Sequence, residues 1–301
     1  GGGDLVAGGG DLVAGGGDLV VAESSAQICG RVWDGALALS RWLRRQDLRG
    51  ASIVELGSGC GVCGLGAAAQ GARVVMTDLP EALPLLRLNA ALAAPCCATP
   101  AGVCPLEWGC DATSLRCVLA ALAALPPPRP PSATPRGSAP APPPAAAAEG
   151  GAGGGAGGGA EGDLSPEAGI PSVGGSGRGV AASGQWVISS DVVYEPEGYA
   201  PLLATLCSLA SRGLADDGAR PRVLMAHRSR NPDEHRFFTA AAARFAIWVL
   251  DGPPMRPLGS ADGASAIPVR GGSPAGGARD GARPHADDPA TVRVLEFEFL
   301  G

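Results

Sequence analysis

Between positions 52 and 78 the chain reads SIVELGSGCGVCGLGAAAQGARVVMTD, and few folds accommodate residue types in that order. Residues 52–56 are a short apolar run cut off by Gly57, the pattern of a buried strand. Residues 62–69 are small and apolar and read as a helix. Residues 73–77 (RVVMT) are rich in β-branched side chains and read as a second strand, which ends at Asp78. A glycine-rich turn from strand to helix leaves the first N–H groups of the helix facing outward at the positive end of its dipole. Glycine there lets a ligand come close to the backbone. A carboxylate ending the next strand, as Asp78 does, is placed to accept hydrogen bonds from ribose hydroxyls.

The loop Glu55-Leu-Gly57-Ser-Gly59-Cys-Gly61 also narrows the ligand. A dinucleotide fingerprint, G-x-G-x-x-G, needs glycine where this chain has Val62, and no Lys-Ser/Thr pair follows to make a P-loop. The spacing G-x-G-x-G favours S-adenosylmethionine over a nicotinamide dinucleotide. The methionine end of that cofactor carries an ammonium and a carboxylate, which the backbone groups of a loop bind.

Further strands are expected at 103–106, 186–189, 222–226, 245–250 and 291–299, and further helices at 81–92, 232–244 and around Leu202, Leu203, Leu206 and Leu209. Strand–helix alternation predicts an α/β fold, with a mostly parallel sheet covered by helices on both faces. Residues 291–299 (TVRVLEFEF) alternate apolar and polar and predict one antiparallel strand.

Glycine and proline, 48 and 28 of the 301 residues, are concentrated outside these elements. Residues 1–21 are three near-identical heptads, GGGDLVA, GGGDLVA and GGGDLVV, and the first 25 residues are expected to be a flexible tail. Three glycines per heptad, at roughly 1 kcal/mol each, oppose a coiled coil. Residues 126–184 and 252–289 read as low-complexity insertions into a single domain spanning 26–301. Loop insertions of this kind cost little, because closure entropy grows only logarithmically with length.

Composition excludes several classes. The glycines keep no three-residue period, so the chain is not collagen. No uncharged apolar run of about 18 residues is free of Gly and Pro, so no membrane helix is expected. A net charge of −6 opposes non-specific nucleic-acid binding, which needs cations against phosphates. Nine cysteines, an odd number in a chain of this size, argue for reduced thiols and a cytoplasmic or nuclear setting over a secreted disulfide framework. Cys60 and Cys63 lie within and just after the glycine loop, and His227, His235 and His285 are scattered, so no metal site is expected. The chain opens on Gly, and no signal segment is visible. All 23 basic residues are Arg; the chain has no Lys.

With these residues in hand, the chain resembles a known family. Residues 30–89, then Leu106-Glu-Trp108-Gly109, Ser190-Asp191-Val-Val-Tyr194 and HRSRNPDEHRFF from His227 to Phe238 match, in order, the family 16 seven-β-strand methyltransferases. This is the "methyltransferase-like 21" group of protein-lysine methyltransferases, and Asp-x-x-Tyr is its specific motif. The resemblance implies a Rossmann-like, seven-stranded class I methyltransferase sheet with S-adenosyl-L-methionine as cofactor. It implies cofactor contacts from Trp33, Glu55, Gly57, Ser58, Gly59, Asp78, Trp108 and Ser190. Trp33 would close over the cofactor and Trp108 would pack near the adenine, where an indole offers stacking area.

Asp191 and Tyr194 are the expected catalytic pair: Asp191 to hold the incoming ammonium, Tyr194 to shape a narrow channel. Arg228, Arg230 and Arg236 read as solvated surface. The function expected is transfer of a methyl group to a lysine of a protein substrate by a monomeric enzyme. A small-molecule or histidine-directed methyltransferase on the same fold is a second reading, and a non-catalytic interaction protein a third.

Overall fold

The computed structural model describes residues 5–10, 19–128, 184–215, 217–251, 269–271 and 292–301. In chain order the elements are β1 (Leu5–Gly10), β2 (Leu19–Ser24), α1 (Asp34–Leu43), β3 (Ser52–Leu56), α2 (Val62–Ala69), β4 (Arg73–Asp78), α3 (Leu83–Ala93), β5 (Gly102–Pro105) and α4 (Ala112–Ala124). They continue with β6 (Gln185–Ser190), α5 (Pro196–Arg212), β7 (Arg222–Arg228), α6 (Glu234–Ala242), β8 (Phe245–Asp251), β9 (Val269–Gly271) and β10 (Val292–Phe299).

The main sheet has the order β5-β4-β3-β6-β7-β10-β8-β9. Its pairs are parallel except that β10 runs antiparallel to both β7 and β8. Seven of its strands are the expected ones. The eighth, β9, lies inside the segment read as an insertion at 252–289 and lengthens the edge beside β8. The expected insertion at 126–184 falls almost wholly outside the described residues.

Helices cover both faces because the strands are apolar on both. Ile53, Val74, Ile188 and Leu224 pack with α1 and α2 on one side; Val54, Val75, Val187 and Val223 pack with α4, α5 and α6 on the other. The helices α1 and α4, absent from the periodicity reading, have clear physical causes. Leu39, Trp42 and Leu43 make one buried face of α1. The Asp111 side chain caps α4 by accepting from Thr113 N and Ser114 N. At the far end of α4, the Arg73 guanidinium donates to the carbonyls of Leu122 and Ala123.

The expectation of a flexible tail over residues 1–25 does not hold for β2. Its Leu19 and Val21 are buried at 1% and 2% exposure, and the strand pairs antiparallel with β1. Asn89 of α3 fastens it, accepting from Ala22 N at 2.7 Å and donating to Ala22 O at 3.0 Å. The third heptad differs from the first two by ending in Val21 and running on into Ala22, Glu23 and Ser24, which gives it an apolar face to bury. The Glu23 carboxylate then accepts from Val32 N at 2.7 Å, fixing the approach to α1.

Candidate active site

Chain order departs in opposite directions from the middle of the sheet: β3 leads outward to β4 and β5, β6 outward to β7. At such a switch point the loops leaving the strands splay apart and open a crevice at their C-terminal ends. A cavity of about 390 Å³ occupies that position. It falls within the roughly 300–1,000 Å³ of small-molecule sites. Trp33, Gly57, Gly59, Asp78, Trp108, Ser190, Asp191 and Tyr194 all line it, so five separate stretches of sequence converge on one space.

The glycine loop shapes its floor. Gly57 has φ +63°, and a Cβ there would come 2.8 Å from Val192 and 3.1 Å from the Trp108 ring. Any side chain at 57 would be both strained and pushed into the cavity wall. Gly59 N donates to Asp78 Oδ2 at 2.7 Å, and Leu79 N donates to Oδ1 at 2.8 Å. Burial raises the Asp78 pKa, and these two N–H groups oppose the rise. Among the described residues the Asp78 carboxylate pairs with no cation. It therefore keeps acceptor capacity toward the cavity, as a ribose diol requires.

Two expected cofactor contacts stand behind the cavity instead of lining it. The Glu55 side chain turns to α2, accepts from Gly64 N at 3.1 Å and is 1% exposed. Burial pushes its pKa up to about 8. Ser58 Oγ accepts from Thr77 N at 3.1 Å, and Ser58 N donates to Thr77 O at 3.0 Å, so the residue ties the loop to the end of β4. Adjacent positions in a tight turn point in different directions; position in the motif alone does not say which way a side chain faces.

Asp191, the expected catalytic acid, is engaged within the protein. It is the one described non-glycine residue with positive φ, at 52°. Its side chain is 3% exposed and already engaged: Oδ2 accepts from Gly35 N at 2.8 Å, and Oδ1 accepts from Arg230 at 2.8 Å and from Arg228 N at 3.3 Å. The carboxylate thus joins the start of α1 to the chain following β7. A Cβ on Gly35 would sit 2.5 Å from Oδ2, so α1 comes this close only with glycine there. Tyr194 is 38% exposed at the cavity's mouth, and burial of the rest of the ring raises its pKa.

Arg230, read as solvated surface, lines the cavity. Ile28, Cys29, Leu79 and Glu107 line it as well and carried no sequence signal of their own. Arg230 did carry one: it lies two residues beyond a parallel strand's C-terminal end, where such sheets place their sites. All nine cysteines are free thiols, and among the described residues no group of three His, Cys, Asp or Glu is placed to hold a metal.

Comparison with known proteins bears on the first third of the chain. Residues 17–121 match the family model described as lysine methyltransferase. The chain is 43% identical over 89 residues to EEF1A lysine methyltransferase 3 of Mus musculus, covering 28% of this chain and 37% of that one. It is 43% identical over 81 residues to protein N-lysine methyltransferase METTL21A of Mus musculus, covering 26% and 37%. The match thus spans little more than a third of the length of these curated relatives. Among solved structures, the glycopeptide N-methyltransferase MtfA complexed with S-adenosyl-L-homocysteine aligns over 93% of this chain and 76% of its own, at 10% identity and a TM-score of 0.32. On residues 17–121, which hold the glycine loop and Asp78, the chain is similar to the lysine methyltransferase family.

Proposed function

We propose that the chain is an S-adenosylmethionine-dependent protein-lysine N-methyltransferase. The observation that carries this reading is the Asp78 carboxylate, hydrogen-bonded to the glycine loop and paired with no cation among the described residues, facing a cavity walled by two indoles. The donor set fits the cofactor. Asp78 would take the ribose hydroxyls, and the Gly57–Gly59 backbone the methionine end. Trp108 would lie against the adenine, with Trp33 and Ser190 completing the enclosure. Bound there, S-adenosylmethionine supplies an electrophilic methyl group on a cationic sulfonium.

The residues of the chain then have to bring an amine to that methyl, align it and keep water out. A lysine amine is mostly protonated at pH 7, with a pKa near 10.4. Glu107, Glu195 and Glu197 are exposed at the cavity and favour arrival of a cationic side chain. Tyr194 narrows the mouth and offers the amine one hydrogen bond through its hydroxyl. Asp191 shapes the wall opposite, with its charge balanced by Arg230.

The test is incubation of the chain with methyl-labelled S-adenosylmethionine and a cell extract, followed by identification of the labelled residue. Because this chain has no Lys, enzyme and substrate signals do not overlap. Label on lysine of an extract protein is expected. Label on histidine, on a small molecule, on the chain itself or nowhere would contradict the reading.

A further inference from the structure

Trp33 sits at the N-terminus of α1, half-buried, with one edge in the cavity. Its Nε1 donates to Ile28 O at 3.1 Å, which holds one side of the indole. Trp33 is the N-cap of α1 and so precedes its first turn. The Arg230 guanidinium supplies a second restraint. Its carbon lies 5.0 Å from the Trp33 ring centroid, and Nη1 donates to Asp191 at 2.8 Å. The Arg31 guanidinium lies 5.8 Å from the same ring.

Arg230 is itself held in place. Glu234 Oε1 accepts from Arg230 N at 2.8 Å and from Asn231 N at 3.0 Å, while Oε2 meets the buried His227 ring at 3.1 Å. The turn after β7 is therefore built around one buried carboxylate. Asp191 grips the guanidinium and holds the N-terminus of α1 through Gly35. Glu234 thus fixes the Arg230 backbone and Asp191 its guanidinium, which lies against one indole.

We propose that Arg230 is a positioning residue that clamps Trp33 over the cofactor cavity, with Asp191 as its anchor. The proposal rests on the methyltransferase reading for its purpose, since a clamped indole matters when a ligand lies beneath it. A planar guanidinium suits this role, because it stacks on an aromatic face while its edge hydrogen-bonds to a carboxylate. Lysine at 230 would keep the charge and lose the stacked plane.

The experiment reads Trp33 and cofactor separately. Trp33 emission is isolated as the difference between each protein and the same protein carrying Trp33→Phe, and its acrylamide quenching is measured without cofactor. Cofactor affinity is measured by calorimetry with S-adenosylmethionine. In Arg230→Ala the Trp33 quenching constant is expected to rise at least twofold and affinity to fall about tenfold. Arg230→Lys, which retains a cation beside Asp191 and guards against loss of folding, is expected to show raised quenching with a smaller loss of affinity. Unchanged Trp33 quenching in both variants would overturn the clamp. Raised quenching in a protein whose wild type binds no S-adenosylmethionine would uphold the clamp and defeat the methyltransferase reading instead.

Discussion

Two acidic residues stand at the C-terminal ends of sheet strands beside the cavity, and their surroundings are opposite. Asp78 ends β4 and draws its hydrogen bonds from two backbone N–H groups, with no cation paired to it among the described residues. Asp191 follows β6 and is ringed by two backbone N–H groups and the Arg230 guanidinium, at 3% exposure. An acid left without a counter-charge beside a cavity retains the capacity to bind a ligand; one that is neutralised and enclosed spends its hydrogen bonds on joining elements. One rim of the cavity is thus equipped to bind, the other to frame.

Glu55 takes the comparison to its limit, being enclosed without a cation among the described residues. Its pKa is raised to about 8 from 4.5. The folded chain therefore binds a proton that the unfolded chain releases, and stability falls as pH rises from about 4.5 to about 8. At roughly 1.4 kcal/mol per unit, the effect amounts to a few kcal/mol. Glu55→Gln keeps an acceptor for Gly64 N and removes the titration. Its thermal stability is expected to match the wild type near pH 5 and to exceed it at pH 8. An unchanged pH slope would show that enclosure does not neutralise Glu55.

A smaller effect is expected at Asp191. Asp191→Ala strands Gly35 N and Arg228 N and leaves Arg230 without its partner. Breaking a buried ion pair costs about 3–5 kcal/mol. Arg230 is 31% exposed, and solvent screening reduces the figure to about 2 kcal/mol. Denaturant unfolding should show that loss, while S-adenosylmethionine affinity falls less than in a variant of Asp78. A stable Asp191→Ala that binds cofactor normally yet transfers no methyl would reverse the comparison and return Asp191 to a chemical role.

The strands and the glycine loop are legible in the sequence because their signal is local. SIVEL and RVVMT carry apolar runs of strand length, and Gly57, Gly59 and Asp78 lie within one strand–helix–strand unit. What is not legible depends on partners distant in sequence. Gly35 meets Asp191 across 156 positions, and Asn89 fastens β2 across 67. The closing Val21 of the third heptad offers an apolar face, but only the folded chain supplies the surface that receives Leu19 and Val21. Motif position places Glu55 and Ser58 at the site, but the turn directs their side chains into the protein. An arginine in a polar, arginine-bearing stretch, as Arg230 is, reads as surface, and only the fold brings it to Trp33.

The most direct test of this division is a calorimetric titration of S-adenosylmethionine into the wild type and into Asp78→Ala. Hydrogen bonds to a charged acceptor are worth roughly 1.5–3 kcal/mol, so losing the ribose contact should weaken binding on the order of a hundredfold. One equivalent is expected to bind the wild type, with that loss in the variant. No binding by the wild type, or equal affinity in the two proteins, would contradict the assignment of Asp78 as the binding acid.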